Sequence, residues 1–309
     1  MTTPRWEKLG QLFDPEARAR HPKLISHAAN PLAVLLEGDT YRVFYSGRDT
    51  ENRSSVGAVD IDIAARKIVC EHDAPIFSYG PEGSFYADGV SIGNCYRAAD
   101  GQRYILFMGW QTPRGGHWRG DVGRLRLNED FGLELSPDVP FMGIDQSDPV
   151  SLSYPWVHKG GPEDYQMWYG STHEWDAGNG EMLHVLNYAT SSDGHNWDRK
   201  GLGVPYVIGT AQAFSRPTIA KHPEGGLEMW FSYRGAPGRP YRIGYARAQD
   251  GETYTLMLDG AGIDVSEEGW DSEMIEYPFV FDHSGARYML YNGNSYGQSG
   301  FGLAVLHRD

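Results

Sequence analysis

The chain repeats one pattern five times, and this repetition restricts its possible folds more than any other feature. Each repeat contains a strand-like segment rich in aromatic residues and then a second strand-like segment that contains glycine. The aromatic segments begin 63, 61, 62 and 61 positions apart, at Tyr41, Tyr104, Tyr165, Leu227 and Tyr288. Such a regular period is typical of architectures in which every repeat forms one supersecondary unit.

A further strand-like segment precedes each aromatic one, so each repeat has three or four strands. Short apolar runs between Gly, Asp and Asn clusters are typical of antiparallel meanders, and no segment shows sustained helical periodicity. Repeats of about 60 residues with this content favour propeller blades over solenoid coils. We predict an all-β, five-bladed β-propeller that forms a single domain over residues 1–309. Residues 6–13 are expected to supply the strand that completes the last blade and closes the ring.

Composition excludes several classes of protein. Hydrophobic residues make up 40% of the chain and aromatic residues 13%, which is enough for a large core. The net charge of −14 argues against a nucleic-acid partner. No apolar run approaches the ~18 residues of a membrane span, and the N-terminus lacks a signal-peptide core. Two cysteines are too few for a disulfide framework. We therefore expect a cytoplasmic protein without a membrane partner; the oligomeric state is left open.

The candidate site follows from the predicted topology. The innermost strands of a propeller line a channel, so the residues at their entrances converge at one mouth. Polar groups that cluster at a concave mouth are the default hypothesis for a binding or catalytic site. The predicted entrance residues are Asn30, Asp88, Tyr154, Arg216 and Tyr277.

Four acidic residues near this mouth are the catalytic candidates. Asp88 begins the second inner strand beside aromatic and apolar residues, which suits a proton donor; a turn role before Gly89 is the alternative. Glu273 and Glu276 are three positions apart, so they cannot both face inward on a regular strand. Glu174 lies in a loop after the third aromatic strand.

Arginines form a second candidate group. Arg48 and Arg234 end the first and fourth aromatic strands at equivalent positions, Arg53 lies in the loop after Arg48, and Arg216 is an entrance residue. They have two interpretations: salt bridges to nearby acids such as Asp49, or bidentate binding of a carboxylate or phosphate ligand. The substrate-binding candidates are His27, Asn30, Arg48, Asp49, Arg53, Tyr154, His173, Arg216, Arg234 and Tyr277.

The histidines offer no metal-binding motif. His27, His173 and His184 lack the close spacing of a motif such as HExxH. No metal and no cofactor are therefore predicted.

Over essentially its full length, the chain resembles the five-bladed propeller glycosidases, the superfamily of glycoside hydrolase families 32, 43, 68, 117 and 130. The resemblance depends on the five repeats and on Asn30-Pro31, which opens the first blade. It also depends on residues 54–57 (Ser-Ser-Val-Gly) and on residues 192–197 (Ser-Asp-Gly-His-Asn-Trp), which look like a turn that recurs between the blades of these enzymes.

The resemblance implies a site but departs from some of these families. Families 32 and 43 use an acid on each of the first three inner strands, where this chain has Asn30, Asp88 and the Ser153-Tyr154 pair. Family 130 is more similar, because its first blade also opens with Asn-Pro and a single Asp works with a basic cluster that holds phosphate. On that pattern Asp88 is the general acid, and the anion ligands are Arg48, Arg53, Arg216 and Arg234.

The resemblance thus implies a glycosidase, a hydrolase or phosphorylase of carbohydrate or polysaccharide metabolism that acts on a glycosidic bond. Its expected partner is a small carbohydrate or a sugar phosphate. Two alternatives remain at this point: a non-catalytic sugar-binding propeller, and an enzyme that transfers or rearranges a nucleotide sugar or another activated sugar.

Overall fold

The computed structural model of the chain describes residues 4–17 and 20–308 and is nearly all β, as predicted. In this described part, twenty strands are accompanied by a 3₁₀ turn at Leu258–Gly260 and a four-residue helical turn, α1, at Asn294–Gly297. No helix among these residues has the length and apolar character needed to cross a membrane.

The described strands form three sheets, one of four strands and two of eight, and each larger sheet consists of two antiparallel units of four strands joined by one parallel bridge. There are thus five such units. Unit 1 contains β2 (Ser26–Glu37), β3 (Thr40–Arg48), β4 (Ser54–Asp62) and β5 (Lys67–Phe77). Unit 2 contains β6 (Gly89–Arg97), β7 (Arg103–Gln111), β8 (Arg119–Leu127) and β9 (Leu133–Leu135). Unit 3 contains β10 (Ser151–Gly161), β11 (Asp164–Glu174), β12 (Leu183–Ser191) and β13 (Asp198–Leu202).

The last two units complete the chain. Unit 4 contains β14 (Ala213–Lys221), β15 (Leu227–Arg234), β16 (Arg242–Ala248) and β17 (Thr255–Leu256). Unit 5 contains β18 (Glu276–His283), β19 (Ala286–Asn292), β20 (Phe301–Arg308) and the N-terminal strand β1 (Pro4–Phe13). Strand β1 pairs antiparallel with β20, with Trp6 opposite Leu306 and Phe13 opposite Phe301. Unit 5 therefore combines strands from both ends of the chain.

The first strands of the units contact one another in sequence. Strand β2 contacts β6, β6 contacts β10, β10 contacts β14, β14 contacts β18, and β18 contacts β2. The second strands β3, β7, β11 and β15 are buried along most of their length. Strands covered on both faces carry continuous apolar runs rather than strict alternation. The aromatic repeats of the sequence therefore correspond to these second strands.

Each first strand interrupts its pairing with the second strand at the same place. The first residues of these interruptions are 63, 61, 62 and 61 positions apart: Asn30, Gly93, Tyr154, Arg216 and Tyr277. All but the glycine have φ between 37° and 56°, a region that most side chains avoid. This repeated conformation brings four predicted entrance residues together.

The register corrects the position assigned to Asp88 as the second entrance residue. Gly93 occupies that position, and Asp88 lies five residues earlier, just before β6. A Cβ atom at Gly93 would lie 2.6 Å from the carbonyl oxygen of Pro155 and 2.8 Å from that of Leu106. Neighbouring main chain therefore leaves no room for a side chain at the second position.

Candidate functional site

A pocket of about 420 Å³ receives side chains from all five units. One lining residue from each unit in turn illustrates this convergence: Arg48, Trp110, Tyr154, Arg234 and Tyr277. Four of these five carry a charge or a hydroxyl group. The pocket therefore combines apolar and aromatic walls with a few polar groups, which is the usual form of a small-molecule site.

Arg216 adjoins this pocket but is committed to the main chain. Its side chain is 1% exposed; Nη1 donates to the carbonyl oxygen of Ile92 at 3.1 Å, and Nη2 donates to those of Pro31 at 2.7 Å and Gly93 at 3.2 Å. The guanidinium thereby joins β14 to β2 and β6. Burial lowers the pKa of Arg216 to about 9, and this shift is opposed by Tyr154 and Tyr277.

The two tyrosines line the pocket and interact electrostatically with Arg216. The Tyr154 hydroxyl donates a hydrogen bond of 3.4 Å to the Tyr277 hydroxyl, so that units 3 and 5 are joined. We call Arg216, Tyr154 and Tyr277 the arginine–tyrosine cluster. Its polar groups are largely used within the protein.

The carboxyl group of Glu276, unlike the polar groups of the arginine–tyrosine cluster, is not used in hydrogen bonds to described residues. It is 0% exposed, and neither carboxyl oxygen has a hydrogen-bond partner among the described residues. Burial raises the pKa of Glu276 well above its ordinary value of 4.5, against the opposing charges of Arg48 and Arg234. Both arginines line the pocket. A carboxyl group without a hydrogen-bond partner among the described residues, whose burial favours its neutral form, therefore lies within electrostatic reach of two pocket arginines.

Arg48 is the least compensated of the pocket cations. It ends β3 and lines the pocket, and no described residue forms a hydrogen bond or an ion pair with its guanidinium group. Arg234, in contrast, pairs with buried Glu181 at 2.9 Å from Nε to Oε2, and its Nη1 donates to the Tyr296 hydroxyl at 3.3 Å. The Arg234–Glu181 pair is electrically neutral, so Arg48 is the lining residue whose charge has no charged partner among the described residues.

Asp88 lies beside the pocket and is half-buried. Its Oδ2 accepts a hydrogen bond of 2.5 Å from the main-chain N–H of Thr112, and its own N–H donates to the carbonyl oxygen of Trp110 at 3.0 Å. Thr112 and Trp110 both line the pocket. The geometry thus combines the turn role with a position next to the pocket.

None of the four predicted acids is among the described residues that line the pocket, and the remaining two have no link to it through a lining residue. Glu273 and Glu174 are both exposed. Glu276 begins β18 and is buried, whereas Glu273 lies in the loop before that strand and is exposed, so the two face different environments. His173 is exposed beside Glu174.

The remaining predicted binding residues have local partners. Asp49 accepts hydrogen bonds from the Arg53 main chain and from Arg53 Nε, both at 2.9 Å, so these two form an ion pair within one loop. The main-chain N–H of Asn30 donates to Asn292 Oδ1 at 2.9 Å. Burial, together with Arg48, lowers the pKa of His27 to about 4.

Several pocket residues were not predicted. His184 hydrogen-bonds through Nε2 to Ser153 Oγ and through Nδ1 to Thr172 Oγ1, both at 2.6 Å, and burial lowers its pKa to about 3. His184 begins the third strand of its unit at the position that Ser54 has in unit 1, so the repeat register would have found it. Glu181 lies in a loop where no repeat marks it.

One cluster outside the pocket has donor atoms suited to a metal. Asp60, Cys70 and His72 place such atoms within 4.8 Å of one another. However, Arg42 binds both oxygens of Asp60, at 2.8 and 3.0 Å, and His72 Nε2 lies 3.2 Å from Oδ2. The carboxylate is therefore already neutralised by a guanidinium group, which disfavours a cation at the same place.

Comparison with known proteins supports the fold assignment. No family model matches the chain. A solved structure described as a glycoside hydrolase aligns with a TM-score of 0.72 and 15% identity, over 98% of this chain and 91% of that one. A glycosyl hydrolase from Bacteroides ovatus gives a TM-score of 0.71 at 12% identity, over 98% and 94%. The fold is that of the propeller glycoside hydrolases, as the sequence resemblance implied.

A third solved structure comes from work on the family 130 mannoside phosphorylases, which contain hydrolases of β-1,2 mannosidic linkages. It aligns with a TM-score of 0.69 at 12% identity, over 98% of this chain and 94% of that one. More closely related sequences are the uncharacterized proteins Rv1502 and MT1551 of Mycobacterium tuberculosis, from strains H37Rv and CDC 1551. Each is 41% identical over 303 residues, which is 97% of this chain and 99% of the relative. The chain belongs to the same family as these two proteins.

Proposed function

We propose that the five units are the blades of one five-bladed propeller domain, closed by β1, and that its pocket is the active centre of a carbohydrate-active enzyme. The reaction is cleavage of a glycosidic bond by hydrolysis or phosphorolysis. Support comes from the ring of contacts between first strands, the pairing of β1 with β20 and the pocket shared by all units.

The observation that carries the proposal is the buried Glu276 carboxyl group. Cleavage of a glycosidic bond needs a proton for the leaving oxygen, and an acid with a raised pKa is suited to supply it. Glu276 has such a raised pKa, no hydrogen-bond partner among the residues described, and two pocket arginines nearby. We therefore assign the role of general acid to Glu276, although the sequence favoured Asp88.

Asp88 then serves as the second carboxylate. With water as the nucleophile, Glu276 gives its proton to the glycosidic oxygen while the bond from that oxygen to the anomeric carbon breaks. The water oxygen bonds to the anomeric carbon, and its proton passes to Asp88. In phosphorolysis, a phosphate oxygen replaces the water as the nucleophile. The hydrogen bond from Thr112 holds the Asp88 carboxylate in place.

Of the four arginines predicted to hold an anionic group, two are used elsewhere in the protein. Arg216 holds main-chain carbonyl groups and Arg53 pairs with Asp49. Arg48 and Arg234 line the pocket, and both interact electrostatically with Glu276. These two arginines are therefore the proposed anion ligands.

A non-catalytic sugar-binding propeller is the second candidate. It is favoured by Asn30 and Ser153, which stand where families 32 and 43 have catalytic carboxylates. Glu276 argues against it, because a neutral acid buried without a partner costs folding free energy and does not improve sugar binding unless it contacts the ligand.

The test compares Glu276→Gln with Glu273→Gln, its exposed neighbour on the same segment. Turnover is measured on a panel of aryl glycosides and sugar phosphates, with and without inorganic phosphate. We expect Glu276→Gln to lower kcat/KM by about 10²–10⁴-fold and Glu273→Gln to have little effect. Turnover only with phosphate identifies a phosphorylase.

Two results would contradict the assignment. Full activity of Glu276→Gln together with an inactive Asp88→Asn variant returns the role of general acid to Asp88. Shifts in melting temperature with sugars, but no turnover of any substrate, indicate the binding module.

A further inference from the structure

We propose that the sugar bound in this pocket carries its own carboxylate group, which pairs with Arg48. The substrate class is therefore an acidic, uronic-acid-type sugar. This inference rests on the proposed function, because it names the substrate of the same pocket.

The first argument is the unused binding capacity of Arg48. A guanidinium group presents five N–H donors in a planar fork that matches a carboxylate bidentately. The guanidinium group of Arg48 lines the pocket, and nothing in the described part of the chain hydrogen-bonds to it. In a protein with a net charge of −14, acidic side chains are abundant. A pocket arginine without one is therefore available to a ligand.

The second argument is the sign and size of the charge in the pocket. Arg234 is neutralised by Glu181. Burial raises the pKa of Glu276 well above its ordinary value and so favours its neutral form, and it lowers the pKa values of His27 and His184 to about 4 and 3, so both histidines are neutral at pH 7. Among the residues that line the pocket, the one charge without a charged partner in the described chain at pH 7 is therefore that of Arg48, while the Asp88 carboxylate beside the lining is held by the main-chain N–H of Thr112. A carboxylate supplies one negative charge, whereas a phosphate monoester carries about −1.5 to −2.

The third argument links this ion pair to the chemistry. The positive charge of Arg48 is the largest influence that opposes the raised pKa of Glu276. A carboxylate bound to Arg48 neutralises that charge and so favours the protonated form of Glu276. An acidic substrate thereby favours the form of Glu276 that can donate a proton, whereas a neutral sugar leaves the charge of Arg48 unchanged.

The experiment measures binding by calorimetry at low ionic strength. The probes are methyl glucuronoside, methyl galacturonoside, methyl glucoside, glucose 6-phosphate and inorganic phosphate. The proteins are the wild type, Arg48→Met and a matched control, Arg126→Met, which removes an exposed arginine paired with Glu134 on the outer strands of unit 2.

We expect wild-type protein to bind at least one uronoside about tenfold or more tightly than methyl glucoside. A tenfold preference corresponds to about 1.4 kcal/mol, as expected for one charge-assisted pair. Arg48→Met is expected to abolish this preference, while Arg126→Met preserves it. Added salt should weaken uronoside binding but not glucoside binding.

The outcomes separate the two proposals. Equal binding of neutral and acidic sugars, or an unchanged preference in Arg48→Met, overturns the inference and leaves the proposed function intact. Tighter binding of glucose 6-phosphate or inorganic phosphate, lost in Arg48→Met, shows a phosphate site instead. If no sugar binds and none is turned over, both proposals fail.

Discussion

Arg216 and Arg48 are two arginines near the same pocket, and their surroundings differ sharply. Arg216 is almost fully buried and donates to three carbonyl oxygens of two neighbouring first strands. Arg48 lines the pocket and has no hydrogen-bond or ion-pair partner within the described residues. Buried polar groups are hydrogen-bonded within the protein, as Arg216 is, whereas the partly buried guanidinium group of Arg48 is accessible in the pocket and open to a ligand. The same residue type therefore has a structural role in one place and a proposed binding role in the other.

The largest predicted effect on stability tests the structural side of this comparison. Arg216→Met removes the donors that the carbonyl groups of Pro31, Ile92 and Gly93 use. We expect the free energy of unfolding to fall by about 3 kcal/mol, since each buried acceptor that loses its donor costs about 1–3 kcal/mol. This cost is partly offset because the variant no longer buries a charged group. Urea denaturation measures this change. Wild-type stability would show that the arginine–tyrosine cluster does not hold the first strands together.

A pH-dependent prediction concerns Glu276. Its pKa is higher in the folded than in the unfolded state. Above about pH 4.5 the folded protein therefore keeps a proton on Glu276 that the unfolded chain has lost. The free energy of unfolding of the wild type must therefore fall with pH relative to Glu276→Gln, by at most about 1.4 kcal/mol per pH unit. Denaturation at pH 5, 6, 7 and 8 measures this divergence.

The control for this prediction is Glu273→Gln, which removes an exposed carboxyl group from the same segment. Its stability is expected to remain parallel to that of the wild type over the same pH range. A constant difference between Glu276→Gln and the wild type would mean that the buried carboxyl group is not held protonated.

A smaller effect is expected at an aromatic residue of the pocket lining, Trp118. Trp118 lines the pocket, and its ring is oriented by an edge contact with Trp175 at 5.0 Å. Trp118→Ala should weaken sugar binding about fivefold, because an aromatic face is worth about 1 kcal/mol. Calorimetry with methyl glucoside and methyl glucuronoside measures this. Equal weakening of the binding of both sugars is expected, whereas a loss confined to the uronoside would mean that the carboxylate binds near Trp118 and not at Arg48.

The smallest change in the free energy of unfolding is expected for the substitution at Arg48. Arg48→Met removes no hydrogen bond to a described residue, so its free energy of unfolding should stay within about 0.5 kcal/mol of the wild type. Urea denaturation beside Arg216→Met provides the measurement. A loss as large as that of Arg216→Met would show that Arg48 is a structural residue.

Much of the fold could be predicted because strand periodicity is a local property. Runs of apolar and aromatic residues between turn residues identified the repeats, and the second strands coincide with the aromatic segments. The resemblance to propeller glycosidases was confirmed by the solved structures. The alignment failed at the second entrance, where Asp88 was chosen in place of Gly93, because that repeat lacks the proline that marks the other four.

The candidate site was predicted only in part. Arg48, Arg234, Tyr154 and Tyr277 were named and line the pocket. Glu276 was named as one of four acids, and nothing in the sequence distinguished it. The difference between them is burial, which depends on how neighbouring units pack.

The amino-acid sequence by itself determined the strands, their number of repeats and the residue types available near the pocket, because these depend on interactions between neighbours in the chain. The tertiary structure decided which charges meet a partner. Arg216 reaches carbonyl groups 123 to 185 positions away, while Arg48 reaches none, although both are arginines at strand positions marked by the repeats. Charges interact according to their distance in space and not along the sequence. Only the folded chain therefore distinguishes a structural arginine from one whose guanidinium group is available to a ligand.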